Sequence, residues 1–417
     1  MVKPLYKWKI KQRAQNVEAY QQECLERFGP FQSAKNKQAI WFHCVSVGET
    51  NAAQPLIEHY LKLGQPILVT NTTKTGQARS KALFLKAPYE ALFQAVYLPA
   101  DQKSLIADFY QKYQPKLLIL VETELWPNLI DQADKFEVPC ILVNARLSAK
   151  SAQGYSKVSS LTRPMLQNFD VLLAQDVATQ QRFIELGLEA SKSEVVGSIK
   201  FDISAAEVFI EKAQQLKHDW NLARRKIITL ASTHAPEEEK LLSGLKPYLE
   251  HHSDCLVIVV PRHPERFDEV FKVAQSLNLN TQRRSLNQSI QLDTQVYLAD
   301  SMGEMWLWYA LSQASFVGGS LNEPGGGHNI LEPMVLNVPT VIGPNYFNFQ
   351  AIVDEFLQAN AVVIGQSEHD VVQLLVRCVE DQDFATQLSQ HAIEVLNQNK
   401  GSLQKHIAVI DRFLSKL

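Results

Sequence analysis

The sequence predicts an α/β protein built as two doubly wound domains, each a parallel sheet covered by helices. Three observations carry this. Short apolar runs recur with little polar alternation, so the strands they form are buried on both faces and pair in parallel. Stretches with helical spacing of apolar positions separate those runs. The pattern then restarts after residues 206–221, and 417 residues exceed what one ordinary core takes.

Taken in order, residues 17–28 have helical spacing and are closed by Gly29-Pro30. Strands are expected at 40–45, 67–70, 95–98, 117–121, 141–143, 171–174 and 195–196. Helices are expected at 50–63, from 77, at 104–113, around 128–135 and at 177–186. Gly48, Gly64 and the polar turn NTTKTG punctuate them. After the helical stretch 206–221, strands are expected at 227–230, 256–260, 296–298, 315–317, 340–342 and 362–364. Residues 371–417 read as helical throughout. The junction falls near Ile203, giving domains 1–202 and 203–417.

Composition narrows the function classes. The chain is 46% hydrophobic and 20% charged, with a formal net charge of -3. That balance lacks the basic field of a nucleic-acid binder, so no nucleic-acid partner is expected. The five cysteines are scattered and never form a CxxC pair, which fits a reducing compartment rather than a disulfide framework or a zinc site. No apolar run is long enough to span a bilayer. The start, MVKPLYKWKIKQR, interleaves Lys3, Lys7, Lys9, Lys11 and Arg13 with Leu5, Tyr6, Trp8 and Ile10. Such a segment suits an anionic membrane surface, and equally a solvated helix.

Ligands of open α/β sheets bind beyond the carboxyl ends of the strands. In the first domain those ends carry Glu49, then Thr72 to Gly76, then Glu122 and Glu124, then Asn144 and Arg146, then Lys200 and Asp202. In the second they carry His234, Arg262 and His263, Met302 to Glu304, and FVGGSLNEPGGGHNILEP. The glycine turn of that last stretch offers bare backbone N–H groups beside a helix start, an arrangement that suits a phosphate. Glu332, one turn on, suits ribose hydroxyls. Arg262 suits a phosphate oxygen, and the backbone at Pro261 and Met302 to Glu304 suits a base edge. Glu49 or Glu122 suits a general base on a hydroxyl, and Lys200 suits charge on a leaving phosphate. Glu49 also suits a plain helix N-terminal carboxylate. Trp306 and Trp308 read as core. No metal-ligand spacing is present, so neither a metal nor another cofactor is expected. Two such domains facing each other would enclose a cleft.

In sequence, the motifs HCVSVGET, NTTKTG, ETELWPNLI, NARLS, GSIKFD, ASTH, PRHPERF, SMGEM and FVGGS…GGHNILEP…GPNYFNF make the chain resemble the 3-deoxy-D-manno-octulosonate (Kdo) transferases of lipopolysaccharide assembly. The resemblance runs from about Tyr20 to the C-terminus. It implies a GT-B glycosyltransferase of two Rossmann-like domains facing a cleft, the first binding acceptor and the second CMP-Kdo. It also implies transfer of Kdo from CMP-Kdo to a lipid A precursor, with inversion and without metal, at the cytoplasmic face of the bacterial inner membrane. By motif, Glu49 corresponds to the family's proton acceptor, and Glu122 and Lys200 to its transition-state stabilisers. Pro261, Arg262, Met302, Gly303, Glu304, Asn329, Ile330, Leu331 and Glu332 correspond to its CMP contacts. The family usually opens with an apolar anchor, whereas this chain starts with the basic segment that follows it. Asn71 and Lys74 replace a threonine and a proline, and Ile330 stands where proline is common. A UDP-sugar epimerase and a silent nucleotide-binding scaffold are the competing readings of the same strand-end residues.

Overall fold

A computed structural model describes residues 2–417; Met1 and the side chains of Val2, Lys3 and Ala351, and so the Lys3 part of the basic segment, lie outside the described residues. The chain divides into two compact units. The first holds Met1–Asp202 together with Lys400–Leu417, and the second holds Ile203–Asn399. The division after Asp202 coincides with the junction read from the sequence, but the last helix does not stay with the second unit.

The first unit contains seven strands: β1 (Ile40–His43), β2 (Ile67–Asn71), β3 (Phe93–Tyr97), β4 (Leu117–Val121), β5 (Cys140–Ala145), β6 (Val171–Ala174) and β7 (Ser193–Val195). They form one sheet in the order β3-β2-β1-β4-β5-β6-β7, and every pairing is parallel. Alternate residues feed two cores. Trp41, Leu68, Leu118 and Leu142 enter one, while Ile40, Phe42, Val69, Ile119 and Val143 enter the other. This two-faced burial is why the runs lack polar alternation. The last helix, Ser402–Leu414, adds Ile407, Val409 and Ile410 to the second of these cores. Its backbone start is held by the Asp202 carboxylate, which accepts from the N–H groups of Gly401 and Leu403. His406 in the same helix accepts the Asn144 N–H at Nε2, 3.0 Å away, and donates from Nδ1 to the Ser402 carbonyl. Asp202 is therefore an anchor for the returning chain.

The second unit repeats the plan with β8 (Lys226–Thr233), β9 (Cys255–Pro261), β10 (Thr281–Arg283), β11 (Val296–Leu298), β12 (Ala314–Val317), β13 (Thr340–Ile342) and β14 (Val363–Ile364). The order is β10-β11-β9-β8-β12-β13-β14, again parallel throughout. β10 escapes the sequence reading because Thr281, Gln282 and Arg283 lie at the sheet edge and are only half-buried. Trp308 is fully buried in the core on one sheet face, as expected.

In each sheet the connections reverse direction at one place. In the first unit this switch lies between β1 and β4, and in the second between β8 and β12. Such points are where doubly wound sheets leave a crevice for ligands. No helix among the described residues is long and apolar enough to cross a membrane. The helix Val2–Arg13 presents Leu5 and Trp8 outward, 57% and 56% exposed, among its lysines.

Candidate active site

The first unit gathers Glu49, Glu122 and Lys200 at its switch point. After β1 the chain turns into the helix Val47–Lys62, with Ser46 as N-cap. Glu49 lies in the first turn. Its Oε2 accepts the Val45 N–H at 2.6 Å and its Oε1 accepts the Ser46 hydroxyl at 3.1 Å. The helix-terminal role foreseen for this carboxylate is thus real, yet each oxygen keeps a further lone pair. Burial pushes the Glu49 carboxyl up first, and the charge of Glu124 adds to it. The bonds from Val45 and Ser46 act the other way without prevailing, and the result is about 8. A carboxylate so placed is a stronger base than one in water.

Glu122 is the first residue after β4 and adopts φ +65°, a left-handed conformation that costs a non-glycine residue about 1–3 kcal/mol. There its carboxylate meets the Lys200 ammonium at 2.6 Å. The two groups expected to stabilise opposite charges are therefore paired with each other. Glu124, two residues on, accepts the Trp126 indole N–H at 2.6 Å and lies 3.7 Å from His43 Nε2. Glu124 was only a spare carboxylate in the sequence; its bearing on Glu49 follows from the fold. Trp126 also borders a cavity of about 330 Å³, lined among others by Tyr6, Arg27, Phe28 and Leu98.

The turn NTTKTG is mostly structural, although Thr72 lines the cavity beside Trp126. Asn71 is buried, donates to the Cys44 carbonyl and accepts from Ser80. Thr73 caps the helix Lys74–Phe84 through the Gly76 N–H. These residues join the loops after β1 and β2.

In the second unit the predicted nucleotide contacts lie at or beyond the ends of β9, β11 and β12, but the glycine turn differs from expectation. The N–H groups of Gly319, Ser320 and Leu321, just past β12, all donate to Glu237, which also accepts from the His234 N–H. That carboxylate fills the nest at the start of the glycine stretch, six residues before Gly325. Gly326 and Gly327 donate to the carbonyls of Asn345 and Gly319. A Cβ at Gly326 would stand 2.2 Å from Asn348 Nδ2, so the glycines serve the close approach of residues 345–348. The helix beyond them is short, Leu331–Val335. Ile330 and Leu331 point into the core, which leaves only their backbone for a ligand. Asn329 Nδ2 lies 3.3 Å from Glu332 Oε1, and burial raises the Glu332 carboxyl above its ordinary range.

Glu304 is likewise committed. Burial would raise its carboxyl, but Arg284, Lys212 and Ser301 outweigh that and hold it at about 2. What remains open is the backbone at Met302 and Gly303, where Met302 is exposed and Gly303 has φ +82° with free space around it. Pro261 ends β9 inside the sheet, and the Arg262 N–H donates to the Thr233 carbonyl, which ties the ends of β8 and β9 together. The Arg262 guanidinium is exposed. Beside it His234 and His328 approach at 2.8 Å between their Nε2 atoms. The sequence placed His234 among the strand-end residues and left His328 inside the glycine stretch without a role; the histidine directly after three glycines was the available signal. Among the described residues no group of three or more His, Cys, Asp or Glu is arranged to hold a metal ion.

Comparison with known proteins bears on both units. A family model described as "3-Deoxy-D-manno-octulosonic-acid transferase (kdotransferase)" matches residues 22–203. The 3-deoxy-D-manno-octulosonic acid transferase of Haemophilus influenzae is 36% identical over 403 residues, 95% of this chain and 92% of the relative. A crystal structure of the C-terminal CMP-Kdo binding domain of WaaA from Acinetobacter baumannii is 61% identical, covering 46% of this chain and 99% of its own, with a TM-score of 0.45. A glycosyltransferase from Rickettsia africae ESF-5 shares the fold at 14% identity over 91% of this chain and 99% of its own, with a TM-score of 0.55.

Proposed function

The chain belongs to the 3-deoxy-D-manno-octulosonic acid (Kdo) transferase family, a family of glycosyltransferases with the GT-B fold, and on that premise we propose that it moves Kdo from CMP-Kdo to a lipid A precursor with inversion and without a metal. The observation that carries this reading is the half-buried Glu49, held at about 8 beside the Glu122–Lys200 pair at a sheet switch point. In the proposed step the acceptor hydroxyl attacks the anomeric carbon and gives its proton to Glu49. The bond from that carbon to the phosphate oxygen breaks on the opposite side, and CMP leaves with the electron pair. Lys200 offsets charge on the leaving side, and Glu122 both holds Lys200 and faces the positively developing sugar.

The second unit takes the nucleotide. With the nest after β12 filled by Glu237, the phosphate is met by the Arg262 guanidinium, the base by the backbone at Met302 and Gly303, and the ribose by Asn329 and Glu332. The cavity beside Trp126 gives apolar parts of a lipid acceptor a place close to Glu124. The helix Val2–Arg13, with Leu5 and Trp8 outward among lysines, suits an anionic membrane surface, and this supports the reading of an enzyme that works at the cytoplasmic face of the inner membrane.

The test is incubation with CMP-Kdo and a tetra-acylated lipid A precursor, followed by mass spectrometry of the lipid and assay of free CMP. Gain of Kdo by the lipid, with CMP released only when lipid is present, supports the reading. Acceptor-independent CMP release with unmodified lipid overturns it.

A further inference from the structure

The second unit carries a histidine cluster, beside Arg262, that the reaction scheme does not use. His234 follows β8 and His328 follows the glycine turn after β12, so the two imidazoles meet over the switch point of that sheet. Their rings are nearly parallel, 10° apart, with Nε2 atoms 2.8 Å from each other. One Nε2 must donate and the other accept, so the neutral pair shares one proton between the rings. It then presents one Nδ1–H and one bare Nδ1 away from the shared bond. Among the described residues neither Nδ1 has a hydrogen-bond partner. His263 stands edge-on to His234, with ring centroids 5.0 Å apart.

The charges around the pair are unbalanced. Arg262 acts on both imidazoles and, among the described residues, makes no side-chain hydrogen bond or ion pair. Of the nearby carboxylates two are committed elsewhere, while the exposed Glu265 stands 3.6 Å from His263 Nδ1. Glu237 accepts from four backbone N–H groups, and Glu238 is paired with Arg266 at 2.8 Å. Burial and these cations together keep His328 down to about 4, so the pair stays neutral until an anion arrives. The position is built closely. A Cβ on Gly319, which has φ +68°, would lie 3.0 Å from His328 Cδ2.

We propose that His234, His328 and His263 form the subsite for the carboxylate of the donor's sugar acid, next to the phosphate held by Arg262. This rests on the donor reading above. A carboxylate accepts from the outward Nδ1–H, and its charge answers the excess of cation at the crevice. A nucleotide without the sugar acid uses Arg262 but not the imidazoles, and this separates the two anionic groups of the donor.

The experiment compares His328→Gln, His234→Gln and the partly exposed His263→Asn with the unaltered enzyme. It reads KM for CMP-Kdo in the transfer assay and Kd for CMP by calorimetry. The subsite predicts that KM rises at least tenfold in the first two and severalfold in the third, while Kd for CMP stays within twofold. Retained CMP binding also certifies the fold of each variant, and His263→Asn carries the test should the other two variants not fold. Parallel rises in KM and Kd would mean that the cluster reads the phosphate, and unchanged KM would mean that it reads nothing; either overturns the proposal. Failure of the unaltered enzyme to bind CMP would instead remove the donor reading itself.

Discussion

The sharpest consequence of the first unit's electrostatics is a rising pH limb near 8 that belongs to Glu49. Only the ionised carboxylate takes a proton, so with a value of about 8 roughly one tenth is active at pH 7, about half at pH 8 and about nine tenths at pH 9. The rate of transfer at saturating substrates should rise about tenfold from pH 7 to pH 9. Glu49→Gln keeps an oxygen to accept the Val45 N–H at the helix start, so capping is largely retained. Loss of the base should lower kcat by about 10²–10⁴-fold and flatten the limb. Glu124→Gln removes the largest charge acting on Glu49, so the limb should move to lower pH while kcat at pH 9 stays nearly constant. The assay is initial rate of CMP release with lipid acceptor in excess, from pH 6 to 9.5 in buffers of constant ionic strength. A limb that persists in Glu49→Gln, or does not move in Glu124→Gln, would refute the assignment.

Three other outcomes follow from particular contacts. Lys200→Met leaves the strained Glu122 carboxylate without its cation, so kcat should fall about 10²–10³-fold with CMP affinity unchanged; equal loss of CMP affinity, read by calorimetry, would contradict the division between units. Glu237→Gln turns an acceptor of four N–H bonds into a group that can serve about half of them, at a cost of about 2–5 kcal/mol. A fall of about 5–15 °C in the unfolding of the second unit is expected by calorimetry, and no fall would contradict the nest. Burial lowers His406 to about 4, against about 6.5 in the unfolded chain. The unfolded state therefore takes the proton first as pH drops, and the first unit should lose about 3 kcal/mol between pH 6.5 and 4. Chemical unfolding across that range should show this slope, and His406→Gln, able to accept the Asn144 N–H, should reduce it.

Much of the fold was legible because parallel strands buried on both faces leave unbroken apolar runs, as at Leu117 to Val121. β10 left no such run, since an edge strand of Thr281, Gln282 and Arg283 buries little. The last helix looked like a continuation of the tail. Only the Asp202 carboxylate on its first N–H groups, and Ile407 and Ile410 in the first unit's core, show where it belongs. At the candidate site, strand ends pointed to Glu49, Glu122, Lys200 and Arg262, and the first three come together at one sheet switch point. What stayed hidden were contacts between residues far apart in sequence. Glu237 fills a turn more than eighty positions away, and His234 meets His328 across a similar span. Local pattern shows that a glycine turn has N–H groups to offer, but not that a distant carboxylate has already taken them.

The central claim is that the cytidine nucleotide is gripped by the second unit beyond β9, β11 and β12, while the first unit supplies the base. Hydrogen–deuterium exchange of the full chain with and without CMP tests this directly. The account predicts slowed exchange at residues 261–263, 302–304 and 328–332, with residues 45–50 and 122–124 unchanged by CMP alone. Protection confined to the segments around Glu49 and Glu122, with the second unit unaffected, would contradict it.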